Sequence, residues 1–128
     1  MATVADLISR TRQYLQGGHP ERRNLLATAI SDATTTSIVC TYETQGIASN
    51  SRISIDLEDM HVHSVNAGTK TLTVSRGDYG STAATSHAQD SVILVGALHS
   101  NKAILDAFND TLLDLEGRGL YRVATPLE

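Results

Sequence analysis

A chain of 128 residues with 41% hydrophobic and 19% charged side chains is long enough for one domain with a buried core. Its formal net charge of −4 argues against the basic surface that ordinary nucleic-acid binding needs, and a single cysteine excludes an internal disulfide. The sequence has no apolar stretch of membrane-spanning length and no cationic-then-apolar leader, so we expect a protein made in the cytoplasm with no membrane partner.

The first predicted element is an amphipathic helix over about residues 4–16. Thr3 and Asp6 have the spacing of a capping box, and Gly17 followed by Gly18 ends the helix. The side chains that recur at helical spacing and form its apolar stripe are Val4, Leu7, Ile8, Thr11, Tyr14 and Leu15.

The charge of the first 23 residues differs from that of the rest. Four arginines against Asp6 and Glu21 give this segment a local charge of +2, whereas the remainder has six basic and twelve acidic residues and a charge of −6. Two of the arginines are expected on the helix, off its apolar stripe. The four either form a solvated face or dock on an acidic surface of a neighbouring subunit. They are Arg10, Arg12, Arg22 and Arg23.

From residue 25 to residue 95 the chain is rich in Thr, Ser, Ile and Val, with Gly, Asn or Asp at short intervals, which is typical of an all-β segment. Residues 66–69 predict a hairpin turn. The alternation changes parity between Ile55 and Met60, which predicts a bulge or tight corner at Glu58 and Asp59. The predicted strands are 25–30, 37–42, 52–57, 60–65, 71–75 and 92–95. Cys40 lies in one of them and is expected to be a small buried hydrophobe.

A second helix is predicted over about residues 101–116, capped by Ser100 or Asn101 and followed by a short tail, 119–128, with a strand or arm at 120–123. Its apolar stripe consists of Ile104, Leu105, Phe108, Leu112 and Leu115. The predicted fold is therefore α+β. An antiparallel β-sandwich or barrel-like domain over about residues 25–96 is flanked by an N-terminal and a C-terminal helix, all within a single domain of residues 1–128.

Three aspartates, Asp106, Asp110 and Asp114, share one face of the second helix. Like charges at this spacing cost about 0.2–0.5 kcal/mol per pair. The stripe is a solvated face, or it lines a channel, or it meets basic residues of a partner. An acidic wall would keep DNA from sticking in a channel.

A polar cluster between the middle strands has two interpretations. It consists of Asp56, Glu58, Asp59, His61 and His63. The two histidines could hold a metal ion, but no third ligand has a specific spacing, and a solvent-facing polar edge of the sheet is the favoured interpretation. The sequence contains no nucleophile elbow and no nucleotide-binding glycine pattern, so we expect neither an enzyme nor a cofactor.

The run RGDYGSTAATSH at residues 76–87 is the most informative stretch of the chain. It is a long loop of small residues between two predicted strands, and such loops are often functional. Its first three letters match a cell-adhesion motif, but Gly77 and Gly80 are better explained by turns that need a positive φ. His87 is expected to bond to nearby backbone.

The loop belongs to a longer pattern. It comprises Ile53, Ile55, Asp56, Glu58, Met60, Val62, Leu72, Thr73, Val74, Arg76, Gly77, Gly80, Ser81, Thr82, Ala83, Ala84 and His87. This pattern resembles a β-module that recurs in structural proteins of tailed bacteriophages. The resemblance implies a structural role in the virion, without catalytic residues or a cofactor.

Small size and a helix on either side of the β-domain resemble a neck component, a head-to-tail adaptor or connector between portal and tail. The resemblance implies a homo-oligomeric ring that contacts portal, neck or tail proteins and lets DNA pass without sequence-specific binding. We expect the protein in the virion neck after synthesis in the host cytoplasm, and monomeric or weakly associated when isolated.

The ring is expected to form through its loops, with residues 77–88 reaching across to a neighbour. Arg76, Asp78 and Tyr79 join the four N-terminal arginines as candidate interface residues. The alternatives are another virion subunit, from the tail, baseplate or head decoration, and then a receptor-binding module or a small enzyme.

Overall fold

The structure is a computed structural model that describes residues 3–17 and 21–119. Its elements, in chain order, are α1 (Val4–Gln16), β1 (Arg22–Leu25), β2 (Ser37–Val39), β3 (Arg52–Ile55), β4 (Glu58–Asn66), β5 (Thr71–Ser75), β6 (Val92–Val95) and α2 (Asn101–Gly117). The predicted α+β class is confirmed, with antiparallel strands between two helices. The predicted arm at 120–123 and most of the predicted tail lie outside the described residues.

The described residues form two compact units, one containing the strands, residues 21–100, and one containing the helices. That the chain is a single domain stays a prediction. In the strand unit, the sheet has the order β1-β6-β3-β4-β5-β2 and curls into a half-barrel. Just beyond its two edge strands, Leu26 and Cys40 form an antiparallel bridge, and the Ala27 amide donates to the Val39 carbonyl at 2.8 Å. The two edges of the sheet therefore meet at this point instead of both facing solvent.

The core of the strand unit is aliphatic, as the scarcity of aromatic residues predicts. Burial raises the pKa of the Cys40 thiol to about 11, so this cysteine is a small core side chain rather than a reactive thiolate. The buried apolar side chains are Leu26, Ile30, Ile38, Cys40, Ile53, Ile55, Met60, Val62, Leu72, Val74 and Ile93.

The strand boundaries agree with the sequence for β5 and β6 and differ for β1, β2, β3 and β4. The first strand was predicted over residues 25–30 but spans Arg22–Leu25. Beyond it the chain turns away and makes only two isolated bridges, Leu26 to Cys40 and Ile30 to His87. Leu26 and Ile30 are buried by these two different contacts in turn, so their burial does not require a continuous strand.

The predicted corner lies two residues earlier than the sequence indicated. Asp56 and Leu57 form the two-residue turn between β3 and β4, and Asp56 has a φ of 53°. Short hairpins favour Asp and Asn at such positions because these residues tolerate a positive φ. A bulge does occur, but between Val62 and Ser64 of β4. Because β4 begins at Glu58, alternation places this carboxylate on the buried face with Met60 and Val62.

In the helical unit, both α1 boundaries are as predicted. Thr3 and Asp6 form the capping box, with the Asp6 amide donating to Thr3 Oγ1 at 3.2 Å and the Thr3 amide donating to Asp6 Oδ2 at 2.9 Å. Gly17 closes the helix in the left-handed conformation.

The position of Arg12 was predicted wrongly. Its side chain is buried, and its guanidinium donates to the Asn101 side chain at the start of α2, within the helical unit. Beside it, Ile8 packs with Ile104 and Leu105. Since Arg12 is used inside the chain, it is not one of the exposed interface arginines.

Candidate functional site

The centre of the candidate site is the buried carboxylate of Glu58, whose side chain is 1% exposed. Its Oε1 accepts hydrogen bonds from Arg76 Nε at 2.7 Å and from the Gly77 amide at 2.9 Å. Its Oε2 accepts from Arg76 Nη2 at 2.9 Å and from the Ala84 amide at 2.9 Å, and it lies 2.8 Å from His87 Nε2. Glu58, its partners Arg76 and His87, and Asp56, which bonds to His87, are called the Glu58 clamp below. The clamp fastens both ends of the loop to strand β4.

Arg76 extends the clamp to a second loop. Its Nη1 donates to the carbonyls of Asp32 at 3.2 Å and Thr35 at 3.0 Å, and its Nη2 donates to the Ala84 carbonyl at 2.9 Å. The Asp32 carboxylate in turn holds this loop in shape, because the Thr35 and Thr34 amides that donate to it lower its pKa to about 2.

The buried position of Arg76 corrects two interpretations of the sequence. Its side chain is 5% exposed and its donors are used inside the chain, so Arg76 is not a surface contact residue. For the same reason the tripeptide at 76–78 does not display an arginine as an adhesion motif requires. The Arg-Gly pair is explained by the folding of the loop.

Both ring nitrogens of His87 face carboxylates. Nδ1 lies 2.7 Å from Asp56 Oδ2 and Nε2 lies 2.8 Å from Glu58 Oε2. A neutral imidazole has only one N–H, so two carboxylate acceptors favour the doubly protonated cation. The hydrogen bond to Asp56 raises the pKa of His87, burial opposes this, and the bond to Glu58 raises the pKa further. The expected bonding to nearby backbone is therefore wrong: the side chain bonds to carboxylates, while its backbone pairs with Ile30.

The clamp combines the Arg76 guanidinium and the His87 ring, whose pKa is raised, with two carboxylates, which explains how the buried charge of Glu58 is tolerated. Burial alone would raise the pKa of Glu58, but the hydrogen bonds from Arg76, Ala84, His87 and Gly77 outweigh burial and lower it to about 2. Glu58 is thus ionised at neutral pH even though it is almost fully buried.

The rest of the loop lies on its own sheet. The Asp78 amide donates to the Asp59 carbonyl at 2.9 Å, and the Asp59 amide donates to Ser81 Oγ at 2.9 Å. Ser54 hydrogen-bonds to the buried Asp59 carboxylate. Two expectations are corrected: Glu58 and Asp59 are not a solvent-facing polar edge, and residues 77–88 do not extend away from the subunit.

Tyr79 is the large aromatic side chain that this loop exposes. Its φ is 53°, an uncommon conformation for a bulky residue, and it is 49% exposed. Its hydroxyl lies 2.9 Å from His61 Nδ1, and the Arg52 guanidinium carbon lies 5.4 Å from its ring centroid. The His63 ring is 5.0 Å from that of His61. These contacts hold an aromatic ring in one orientation at the surface.

The described residues contain no group of three or more His, Cys, Asp or Glu side chains placed to hold a metal ion. His61 and His63 are neighbours, but each has a hydroxyl partner, Tyr79 and Ser75 respectively. The arrangement therefore gives the metal interpretation no third ligand.

The structure does not bring the remaining predicted residues into this site. Arg22 is exposed and donates to the Gly46 carbonyl at 2.8 Å, and Arg23 lies 3.5 Å from Glu21. Asp78 is half-buried beside the clamp. Arg10 and the aspartate stripe belong to the helical unit: Asp106 pairs with Lys102 on α2, and Asp114 pairs with Arg118 just after the end of α2.

Arg52 was not recognised as a site residue from the sequence, and Glu58 and Asp56 were placed in a solvent-facing polar edge instead of in the Glu58 clamp. One signal could have identified Glu58. Extending the alternation of Met60 and Val62 backwards by two residues places a glutamate on the core face, and a buried carboxylate requires cationic or amide partners. The Arg-Gly pair and the histidine of the loop supply them.

Comparison of the chain with protein-family models, with curated proteins and with solved structures finds no match. In the part of the chain that the structure describes, neither helix is both long and apolar enough to cross a membrane. The resemblance to a phage module therefore stays an expectation that rests on the residues themselves.

Replacing Gly77 by alanine tests the fit of the loop. A Cβ at Gly77 would lie 2.7 Å from the Ala83 amide nitrogen, and φ there is +61°, whereas Gly80 has a φ of +80° with open space around it. We expect Gly80→Ala to lower the free energy of unfolding by about 1–2 kcal/mol through backbone strain alone. Gly77→Ala should cost clearly more, because backbone must also move. Urea denaturation followed by far-UV circular dichroism measures both, and equal losses would contradict this packing.

The Glu58 clamp predicts a stability maximum at mildly acidic pH. The raised pKa of folded His87 means that its contribution is fully present below its ordinary pKa of 6.5 and is lost as the pH rises through the folded value. The lowered pKa of Glu58 means that its contribution is present above 4.5 and is lost as the pH falls towards 2. Urea denaturation between about pH 5.5 and 9 should show decreasing stability.

The variant His87→Gln assigns that alkaline decrease. It should be less stable at mildly acidic pH, and its stability should depend much less on pH above neutrality. His63→Gln, at an exposed site on β4, is the matched control and should keep the wild-type slope. An unchanged slope in His87→Gln would show that another group causes the decrease.

Proposed function

We propose that this chain is a structural subunit of a tailed-bacteriophage virion, forming a ring in the neck that joins the portal and head to the tail. The observation that carries the proposal is that the residues of the phage-like pattern form one connected structure. Glu58 of β4 binds Arg76, Gly77, Ala84 and His87 of the loop. Residues of the pattern thus form the Glu58 clamp, which fixes the loop on the half-barrel.

The hydrogen bonding of the Glu58 clamp favours a structural role. Both Glu58 oxygens and both His87 nitrogens already have partners within hydrogen-bond distance, and Arg76 is saturated with acceptors. A general acid or base would need a free position within reach of a substrate. The clamp contributes stiffness, and no reaction is assigned to it.

Tyr79 supports a contact role for the loop. Backbone strain at an exposed residue persists only where the surroundings enforce it, and such strain is concentrated at functional positions. Here the Glu58 clamp fixes the conformation of the loop, and Arg52 and His61 orient the Tyr79 ring. Tyrosine and arginine are the residue types that most often dominate binding energy at interfaces. We therefore assign Tyr79 and Arg52 to a contact with a neighbouring subunit or neck protein.

The charge of the chain suits a ring through which DNA passes. A formal net charge of −4 disfavours retention of the polyanion, and no sequence-specific DNA contact is proposed. The ring itself would form by repeating one head-to-tail interface whose rotation closes.

Electron cryo-microscopy of whole particles tests the location. The half-barrel of the strand unit should fit an axially symmetric density between the portal and the tail. Density at the tail tip, in the baseplate or on the head shell would assign another virion role, and absence from the particle would overturn the proposal.

The variant Tyr79→Asn separates contact from folding. Asparagine tolerates a positive φ, so the free energy of unfolding should change by less than about 1 kcal/mol. Loss of the aromatic anchor should lower incorporation into particles at least about fivefold. Tyr42→Asn is the matched control, since Tyr42 is also exposed but lies outside the loop, and it should leave incorporation unchanged. Normal incorporation of Tyr79→Asn would remove Tyr79 from the interface.

A further inference from the structure

Helix α1 has an exposed face that combines apolar side chains with an arginine. Leu7 and Tyr14 are 42% and 81% exposed, and Arg10 lies between them one turn from each. This face is directed away from Ile8, which packs on α2 within the same unit. Among residues 3–17 and 21–119, Arg10 has no ion-pair partner within salt-bridge distance.

Helix α2 has an exposed face of complementary character. At 100° per residue, Leu113 falls about 20° beyond Asp106, at the edge of the stripe of Asp106, Asp110 and Asp114, and it is 56% exposed. The outer aspartates pair with Lys102 and Arg118. Asp110, in the middle, is the member of the stripe without an ion pair to any described residue. This face is opposite the side of α2 that packs on α1, where Ile104 and Leu105 are buried.

We infer that these two faces bind each other between copies of the chain, with α1 of one subunit on α2 of the next. Arg10 of one copy pairs with Asp110 of its neighbour, and Leu7 and Tyr14 cover Leu113. The inference deepens the proposed ring and rests on it for its setting in the virion.

We assign a second copy of the chain as the partner of each face because the charges and apolar groups of the two faces complement each other. Among the described residues, each face presents one charge without a salt bridge beside exposed apolar surface, and the two charges have opposite signs. Asp6, one turn before Arg10, attracts it without forming a salt bridge. Self-pairing of the α1 face would bring Arg10 against Arg10, and self-pairing of the α2 face would bring three aspartates against three, so a two-fold dimer through either face is disfavoured. Pairing of unlike faces is head-to-tail, which is the interface type that generates rings.

The same composition predicts a weak contact. Exposed ion pairs contribute little, and three apolar side chains on two helices bury little surface. Isolated subunits should therefore associate weakly and form the ring on a platform that aligns them, which agrees with the expectation from the sequence.

Disulfide trapping on the purified full chain tests the contact without any phage partner. The double variant Arg10→Cys with Asp110→Cys, mildly oxidised at high protein concentration, should give a ladder of dimers, trimers and larger species. The two positions face away from the α1–α2 contact, so a disulfide within one chain is not expected. Cys40 is buried and stays out of the reaction. A control pairing Arg10→Cys with Glu43→Cys, an exposed position of the strand unit, should give no ladder.

Reversing the charges of Arg10 and Asp110 provides an independent test of the contact. Arg10→Asp should weaken self-association at least about fivefold in sedimentation velocity, and adding Asp110→Arg should restore it, because the pair is re-formed with its signs reversed. A missing ladder, an equal ladder in the control, or no restoration by the double exchange would overturn the inference. Dimers from Arg10→Cys alone would also overturn it, in favour of a two-fold contact. Because neck location is measured separately on particles, either proposal can fail while the other stands.

Discussion

One buried carboxylate determines how the loop at residues 76–87 is held. Glu58 accepts hydrogen bonds from a guanidinium and two backbone amides and pairs with the His87 ring, and removal of Arg76 would leave the buried carboxylate without its guanidinium partner. Breaking a buried pair in this way typically costs about 3–5 kcal/mol. Residues separated by 18, 26 and 29 positions from Glu58 are thereby fixed at one point. The small residues of the loop can then follow tight turns with little hydrophobic burial of their own.

The Glu58 clamp makes the loop rigid. A chain with so few aromatic side chains cannot anchor long loops by burying rings, so ionic and backbone hydrogen bonds take over that task. The outcome is a stiff surface from which Tyr79 projects with Arg52 and His61 beside it. Preorganisation of this kind lowers the entropic cost of docking. In the proposed ring, the strand unit would provide rigid contacts, while the helical faces would provide weak, charge-matched ones.

Local features were predictable and long-range polar ones were not. Both helices were located to within one residue, because a capping box, an apolar stripe and terminal glycines depend only on residues that are close in the sequence. Strands β5 and β6 were also correct, since alternation and short apolar runs mark them directly. The Glu58 clamp was missed, because its partners come from distant positions and a glutamate near a turn is usually solvated. Arg12 and Arg76 were placed at the surface for the same reason: sequence alone does not reveal the acceptors that allow an arginine to be buried.

The aliphatic core has a spectroscopic consequence. In the described residues, Tyr14, Tyr42 and Tyr79 all lie at the surface, and the buried side chains of the strand unit include no Phe or Tyr ring. Near-ultraviolet signals from Tyr14 and Tyr42 should respond only weakly to the melting of the half-barrel, whereas Tyr79 would lose its contacts with Arg52 and His61. The tyrosine signals should respond strongly when a neighbouring molecule covers the rings. The intrinsic emission of this chain is thus a natural reporter of docking, available without any attached dye.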